Sequence, residues 1–251
     1  MLNAASALLV GYIYLAISVF IFGTIYVLAR WLFTKKGPSG TFLGFRNMFT
    51  YPGQDSSWKA LTNILGRIFL FTSMKRDPYV RITSLIFHWS LWIIIIAHAD
   101  IVLYPYIVAS GIPESSLEIT GAYVGTVFNI LLVASGTVLV LRRIVDRYLR
   151  RISNAADFFA ILLILAIGFS GLAMRIMLPP DFAYAQASPF ILSVASFAPI
   201  NIPSSPLFAL HLILTMTLFL YFPLPVSKFM HPYSFLTNPT LNSVYRTGEV
   251  K

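Results

Sequence analysis

The sequence has 251 residues, of which 57% are hydrophobic and only 11% are charged, with a net charge of +9. This composition and a mean hydropathy of +0.78 exclude an ordinary soluble domain and are typical of an integral membrane protein. The sequence contains no cysteine, which excludes disulfides, thiolate zinc sites, iron–sulfur clusters held by this chain and c-type haem attachment.

From the N-terminus onward, the chain contains five apolar stretches of the length that a membrane helix needs, which is about 20 residues. They lie at about 7–33, 82–108, 119–141, 155–178 and 206–228. The first stretch exceeds the apolar region of a signal peptide and no basic residue precedes it, so we expect a retained helix. The sequence therefore predicts an all-α membrane protein, a five-helix transmembrane bundle formed by a single domain over residues 1–251.

The long connection 34–81 is polar and basic for much of its length. Residues 58–74 within it are apolar but include Lys59 and Arg67, so this segment is too short and too charged to span a bilayer. We expect it to form an amphipathic helix that lies along the membrane surface. The later connection 181–205 is rich in proline, serine and alanine and is predicted to be a loop.

The basic residues are distributed asymmetrically between the connections. Lysine and arginine occur in 34–81, in 142–151 and in the C-terminal tail, whereas the N-terminus, 109–118 and 181–205 contain none. The positive-inside rule therefore predicts an outside N-terminus and a cytoplasmic C-terminus. The net positive charge then reflects topology and contact with anionic lipid, not nucleic acid. We expect a multi-pass protein of the cell membrane.

The four histidines of the chain lie in or just beyond only two of the predicted helices. His88 and His98 are ten residues apart, about 15 Å along a helix axis and half of a hydrocarbon core of about 30 Å. In antiparallel helices, His98 would pair with His211 at the outer side and His88 with His231 at the inner side. Each pair suits a b haem held between two neutral imidazoles. The alternative is a haem-free anchor or transporter in which the histidines are structural.

The spacing of the second pair differs from that of the first. His211 and His231 are 20 residues apart, which corresponds to about 30 Å in a straight helix. The last apolar segment must therefore bend or shorten if both pairs are to form. Pro223 and Pro225 provide the breaks, because an interior proline removes a backbone hydrogen bond and kinks a helix.

Several stretches resemble a known family. They are the segment HLILTMTLFLYFPLPVSKFMHPYS at 211–234, the ten-residue spacing of His88 and His98, LVLRRIVDR at 139–147 and NAADFFAILLILAIGFSGL at 154–172. Over roughly residues 80–235, the chain resembles the gamma subunit of respiratory nitrate reductase, a five-helix di-haem cytochrome b, and its relatives in sulfite-reduction and hydrogenase complexes.

The resemblance implies that His88, His98, His211 and His231 are the axial ligands of two b haems. It also implies a membrane subunit that takes electrons from a quinol at the outer haem and delivers them to an iron–sulfur subunit and a catalytic subunit. Such a subunit catalyses no complete substrate reaction alone. A hydrogenase or sulfur-metabolism complex as the partner is the alternative within the same scaffold.

Polar residues near the predicted helix ends are further candidates. Asp100 and Glu118 are candidates for the quinone site, and Asp100 could instead bond to a neighbouring helix. Arg175 could bind an outer-haem propionate, since guanidinium matches carboxylate geometry, or it could pair with Asp181 or a lipid phosphate.

Three basic residues at the opposite helix ends are candidates for the propionates of the inner haem. Basic residues are common at cytoplasmic helix ends whatever their function, so the simpler interpretation remains open. The three residues are Arg81, Arg142 and Lys228.

Overall fold

The computed structural model of the chain describes residues 2–33, 57–74 and 77–231. In these residues all regular secondary structure is helical, which confirms the all-α class. The helices are α1 (Ala4–Phe33), α2 (Ser57–Phe69), α3 (Pro78–Ala97), α4 (Ala99–Ala109), α5 (Glu114–Val145), α6 (Arg147–Ile152), α7 (Ala155–Met177), α8 (Ser188–Ala195) and α9 (Pro206–Tyr221). Residues 34–56 of the long connection and the tail from 232 lie outside the described residues.

Four of the described helices are long and apolar enough to cross a membrane, namely α1, α3, α5 and α7. The predicted fifth crossing, 206–228, is shorter than expected, because α9 has 16 residues. The predicted second stretch, 82–108, divides into α3 and α4 at His98. The predicted surface helix 58–74 corresponds to α2 and a 3-10 turn at Thr72–Met74. Its position at the membrane surface stays a prediction.

The starts of the helices follow from local capping. Asp77 accepts a hydrogen bond of 3.1 Å from the Val80 amide, and Pro78 occupies the first turn of α3. Asn154 and Asp157 form a reciprocal capping box at the start of α7. Ser205 caps α9 through the Phe208 amide at 3.2 Å. These bonds set where each helix enters the bundle.

The long helices pack in a defined order. Helix α3 packs on α5, α5 on α7, α7 on α9 and α9 on α1. Over the described residues, α3 and α9 do not pack extensively on each other, although both carry histidines. The faces of α3 and α9 that carry the histidines are therefore separated, and their side chains do not interlock.

The connection 181–205 is ordered and packed, which corrects the expectation of a loop. It contains a π-helical turn, Ala183–Ala187, that continues into α8. Phe190 of α8 is 0% exposed in an apolar cluster that includes Ala16 of α1 and Phe208 of α9. The Ser188 hydroxyl donates to the Ile101 carbonyl at 2.6 Å. This connection therefore packs against α1, α4 and α9.

Candidate functional site

His98 and His211, called the outer pair after their predicted side of the membrane, face each other across the gap between α3 and α9. His98 lies at the junction of α3 and α4, and His211 lies in α9. Their ring centroids are 6.3 Å apart and the ring planes differ by 13°. The two nearly parallel imidazoles come from helices that otherwise have little contact.

The inner pair consists of His88 in α3 and His231 beyond the end of α9. Their ring centroids are 5.7 Å apart, with the ring planes at 82°. The structure therefore brings together both pairs that the sequence predicts, with parallel rings in the outer pair and perpendicular rings in the inner one.

The 20-residue spacing in the last segment is shortened by a change from helix to turns. Helix α9 ends at Tyr221, and successive turns follow, with hydrogen bonds from Leu224 to Tyr221 at 3.1 Å and from Ser227 to Leu224 at 2.9 Å. Pro223 and Pro225 lie at this change. The chain beyond Tyr221 therefore does not continue as a straight helix, and His231 comes to lie beside His88.

The turn at Pro223 packs directly against α1. A Cβ atom at Gly23 would lie 2.7 Å from Pro223 Cγ, which is too close for any real contact. We expect Gly23→Ala to destabilise the protein by about 1–3 kcal/mol through overpacking. Gly11→Ala in the same helix is the matched control, since its Cβ would meet nothing within 4 Å.

The stabilities of these two variants are compared by thermal unfolding in detergent. Gly11→Ala should be neutral or stabilising, because alanine is favoured over glycine in helices by up to about 1 kcal/mol. Equal melting temperatures for both variants would contradict the packing of Gly23 on Pro223.

The Nδ1 atoms of three histidines are held by backbone carbonyls. His88 Nδ1 lies 2.8 Å from the Ser84 oxygen, His98 Nδ1 lies 2.7 Å from the Ile94 oxygen, and His231 Nδ1 lies 2.5 Å from the Lys228 oxygen. A carbonyl only accepts, so each Nδ1 carries the hydrogen. The neutral form of each ring then has its lone pair on Nε2.

The fourth histidine uses a side chain instead. His211 Nδ1 lies 2.9 Å from the Ser170 hydroxyl oxygen in α7. Ser170 also lies 2.9 Å from the Ile167 carbonyl oxygen, and with its hydrogen in that bond the hydroxyl oxygen accepts from His211 Nδ1–H, as a ring that ligates through Nε2 requires. All four rings therefore leave Nε2 available as a metal ligand, with Nδ1–H bound to a second partner as ligating histidines usually have it.

The number and the spacing of the imidazoles indicate which kind of metal centre they could form. Two imidazoles bound to one metal at about 2 Å each, with about 1 Å from nitrogen to ring centre, have centroids about 6 Å apart. Both pairs are near this value. Nowhere in residues 2–33, 57–74 or 77–231 do three or more His, Asp, Glu or Cys side chains form a metal-binding group. Two protein ligands suit haem iron, because the porphyrin supplies the other four.

Aromatic residues surround the inner pair. Phe71 contacts the His88 ring at a centroid distance of 4.9 Å, although its φ of 49° is unfavourable for a bulky side chain. The Trp89 indole donates to the Phe69 carbonyl at 3.0 Å and ties the end of α2 to α3. The segment after α2 thus folds against His88, and nothing in the spacing of the sequence indicates it.

A second polar group includes Asp100, which follows His98 by two positions in the chain. The Tyr184 hydroxyl donates to Asp100 Oδ2 at 2.9 Å, and its ring stacks on Tyr104 with a centroid distance of 4.9 Å. Tyr184 is only 4% exposed. Burial, followed by the negative charge of Asp100, raises the pKa of Tyr184, so the phenol stays protonated and donates. Glu118 is close enough to act electrostatically on this phenol.

The sequence analysis names Asp100 and Glu118 as candidates but does not include Tyr184. Tyr184 belongs to the connection that was expected to be a loop, and its partner is 84 positions away in the sequence. The position of Tyr184 is linked to a glycine in α5. A Cβ at Gly121 would lie 3.0 Å from the Tyr184 hydroxyl oxygen, so a residue without a side chain is needed there.

Each of the four basic propionate candidates contacts a protein group. Arg175 donates to the Gly121 carbonyl at 3.2 Å, and Arg81 donates to the Leu70 carbonyl at 3.0 Å. The remaining two form ion pairs, Arg142 with Asp77 at 3.2 Å and Lys228 with Asp157 at 3.5 Å. Their roles toward haem stay predictions.

The sequence between residues 71 and 247 matches the family described as nitrate reductase gamma subunit. The chain belongs to this family. The resemblance seen in the sequence is thereby confirmed. The matched region contains all four histidines of this nitrate reductase gamma-subunit homologue, whereas α1 and α2 precede it.

Two curated relatives of this family member come from archaea. The Hdr-like menaquinol oxidoreductase cytochrome b-like subunit of Archaeoglobus fulgidus is 27% identical over 261 residues, covering 91% of this chain and 77% of the relative. The protein of the same name from Archaeoglobus profundus is 25% identical over 269 residues, covering 91% and 76%. Similarity thus extends beyond residues 71–247 into the N-terminal part of the chain.

Proposed function

We propose that this chain is the di-haem cytochrome b subunit of a multi-subunit quinol oxidoreductase in the cell membrane. His98 and His211 would hold the outer b haem, and His88 and His231 the inner one. The observation that carries the proposal is the state of the four imidazoles: they form two facing pairs, and every Nδ1 is hydrogen-bonded so that Nε2 is available.

The separation between α3 and α9 supports the same conclusion. A flat macrocycle needs two helices that face each other without interlocking side chains, and α3 and α9 have this arrangement over their described length. When bound, the two haems would supply one-electron transfer between a quinol at the outer side and a redox partner at the inner side. The protein's contribution is to fix the ligands, their orientation and the surrounding polarity.

The topology follows from the charges and the four long helices. We infer that α9 and the turns after it complete a fifth crossing, because α1 and α9 pack together and His231 lies at the level of His88. The basic residues then place the N-terminus outside and the C-terminus in the cytoplasm. The outer pair would face the outside of the cell membrane.

The reductant that fits this site is menaquinol. The names of both Archaeoglobus relatives describe a menaquinol oxidoreductase. Asp100, two positions after His98 in the chain, forms a hydrogen-bonded pair with Tyr184, and Glu118 is close enough to act on this phenol. We infer that Asp100 accepts a proton from the quinol hydroxyl while Tyr184, which stays protonated, holds the carboxylate in place.

The partner would be an iron–sulfur subunit, with a catalytic subunit beyond it, at the inner face. Exposed arginines on the short helix α6, at 147, 150 and 151, give that face a positive charge. Such a surface attracts and orients an acidic partner. The comparisons favour a menaquinol-linked complex over nitrate reduction as such, and a hydrogenase or sulfur-metabolism complex remains the second candidate for the partner.

The deciding experiment is to count the haems in the purified chain. We expect a reduced-minus-oxidised spectrum with the sharp alpha band of b haem, and a pyridine haemochrome assay that gives two haems per chain. Absence of any haem band from protein produced with sufficient haem supply would favour the haem-free anchor or transporter. One haem per chain would mean that one of the two histidine pairs does not bind haem.

A further inference from the structure

Ser170 differs from the groups that are hydrogen-bonded to Nδ1 of the other three histidines. His88, His98 and His231 donate to backbone carbonyls that no substitution can remove, whereas His211 donates to a side-chain hydroxyl. Ser170 lies 41 positions away in the sequence and in a different helix, α7. The Ile167 carbonyl also acts on the His211 ring, but Ser170 is the partner of His211 Nδ1 that a substitution can remove.

The surroundings of Ser170 allow its hydroxyl to accept a hydrogen bond from His211. Ser170 is 6% exposed, so water does not compete for its hydroxyl group. Its hydrogen goes to the Ile167 carbonyl, which leaves the oxygen lone pairs for His211 Nδ1–H. The result is a relay in which His211 donates to Ser170 and Ser170 donates to the backbone of α7.

We infer that Ser170 is a positioning residue that orients His211 and sets the redox potential of the outer haem, which rests on the proposed haem ligation. A hydrogen bond accepted from Nδ1–H raises the basicity of the ligating nitrogen and so favours the oxidised iron. A hydroxyl is a weaker acceptor than a carbonyl, and Ser170 thereby gives His211 a different donor strength from that of the three carbonyl-bound rings. Without the hydroxyl, the oxidised form loses this support.

The test is a redox titration of Ser170→Ala with optical detection of both haems. We expect the outer haem to become easier to reduce by about tenfold in its equilibrium constant, the lower end of typical effects from groups that support a metal ligand. For one electron this corresponds to about 59 mV toward positive potential. The inner haem of the same molecule should keep its potential. Ser170→Thr, which retains the hydroxyl, should restore a value near that of the wild type.

Ser135→Ala is the matched control. Ser135 is a buried serine of α5 whose hydroxyl donates only to carbonyls of its own helix, Leu131 and Leu132. It should change neither potential. If Ser170→Ala loses the outer haem altogether, retention of that haem by Ser170→Thr still supports the proposal, because the hydroxyl then decides whether His211 is held.

Several results would overturn the inference. They are an unchanged outer potential in Ser170→Ala, an equal shift of both haems, a shift toward negative potential, or loss of the outer haem from Ser170→Thr as well. Failure of the proposed function is distinguishable from all of these, since wild-type protein would then bind no haem and give nothing to titrate.

Discussion

Replacement of either His98 or His211 by alanine is expected to remove the same haem and to leave the other haem in place. The two rings belong to one pair, with centroids 6.3 Å apart and nearly parallel planes. Each variant deprives the same iron of one of its two protein ligands, and a single remaining imidazole holds a b haem poorly. The pyridine haemochrome assay should therefore fall from two haems per chain to one in both variants.

The double variant sharpens this test. Two groups that act on one site are not additive, whereas groups at independent sites are. His98→Ala combined with His211→Ala should lose no more haem than either single change. His98→Ala combined with His88→Ala should lose both haems, because those residues belong to different pairs.

A control in the same helix separates ligand loss from general damage. Ile95 of α3 is 59% exposed, which is expected for a lipid-facing side chain. Ile95→Ala should retain both haems and the wild-type spectrum. Retention of different haems by His98→Ala and His211→Ala would show that the pairing across α3 and α9 is wrong.

The fold class and the pairing of the histidine rings could be predicted from the sequence because both depend on simple patterns along the chain. Apolar stretches of membrane length predict helices, and the four long helices α1, α3, α5 and α7 coincide with four of the predicted stretches. The spacing of His88 and His98 depends only on the rise of a helix. Each of these two histidines faces a partner in α9 or just beyond it, as expected if α3 and the last segment run antiparallel.

The length of the last crossing was harder to predict. Prolines mark where α9 can end, but the number of residues that continue as turns depends on packing against neighbouring helices. In the structure, Pro223 packs on Gly23 of α1, and this contact joins segments 200 positions apart. The end of α9 at Tyr221 is therefore a tertiary effect.

Ser170 and Tyr184 escaped prediction for a related reason. A buried serine in a membrane helix and a tyrosine in a connection are common, and neither has a characteristic spacing. Their roles arise from partners 41 and 84 positions away, His211 and Asp100. Contacts of this kind become visible only when the helices are packed.

Replacement of Asp100 by asparagine is expected to slow quinol oxidation by about 10²–10⁴-fold while both haems remain bound. Asparagine keeps the shape and still accepts a hydrogen bond from Tyr184, but it cannot accept a proton. The initial rate of haem reduction by a menaquinol analogue, measured by stopped flow at saturating quinol, gives the effect on the chemical step. Tyr184→Phe should slow the reaction less, because the ring stack on Tyr104 remains and only the hydroxyl that orients the carboxylate is lost.

Two further carboxylates make this prediction specific. Glu118→Gln tests the second candidate, and Asp181→Asn changes an exposed acid of the outer connection. Neither should slow haem reduction as much as Asp100→Asn, since only Asp100 is bound by the buried phenol of Tyr184. A large loss in Glu118→Gln with a normal rate in Asp100→Asn would transfer the role of proton acceptor to Glu118. The Asp100–Tyr184 pair would then be a helix-packing contact between α4 and the π-helical turn.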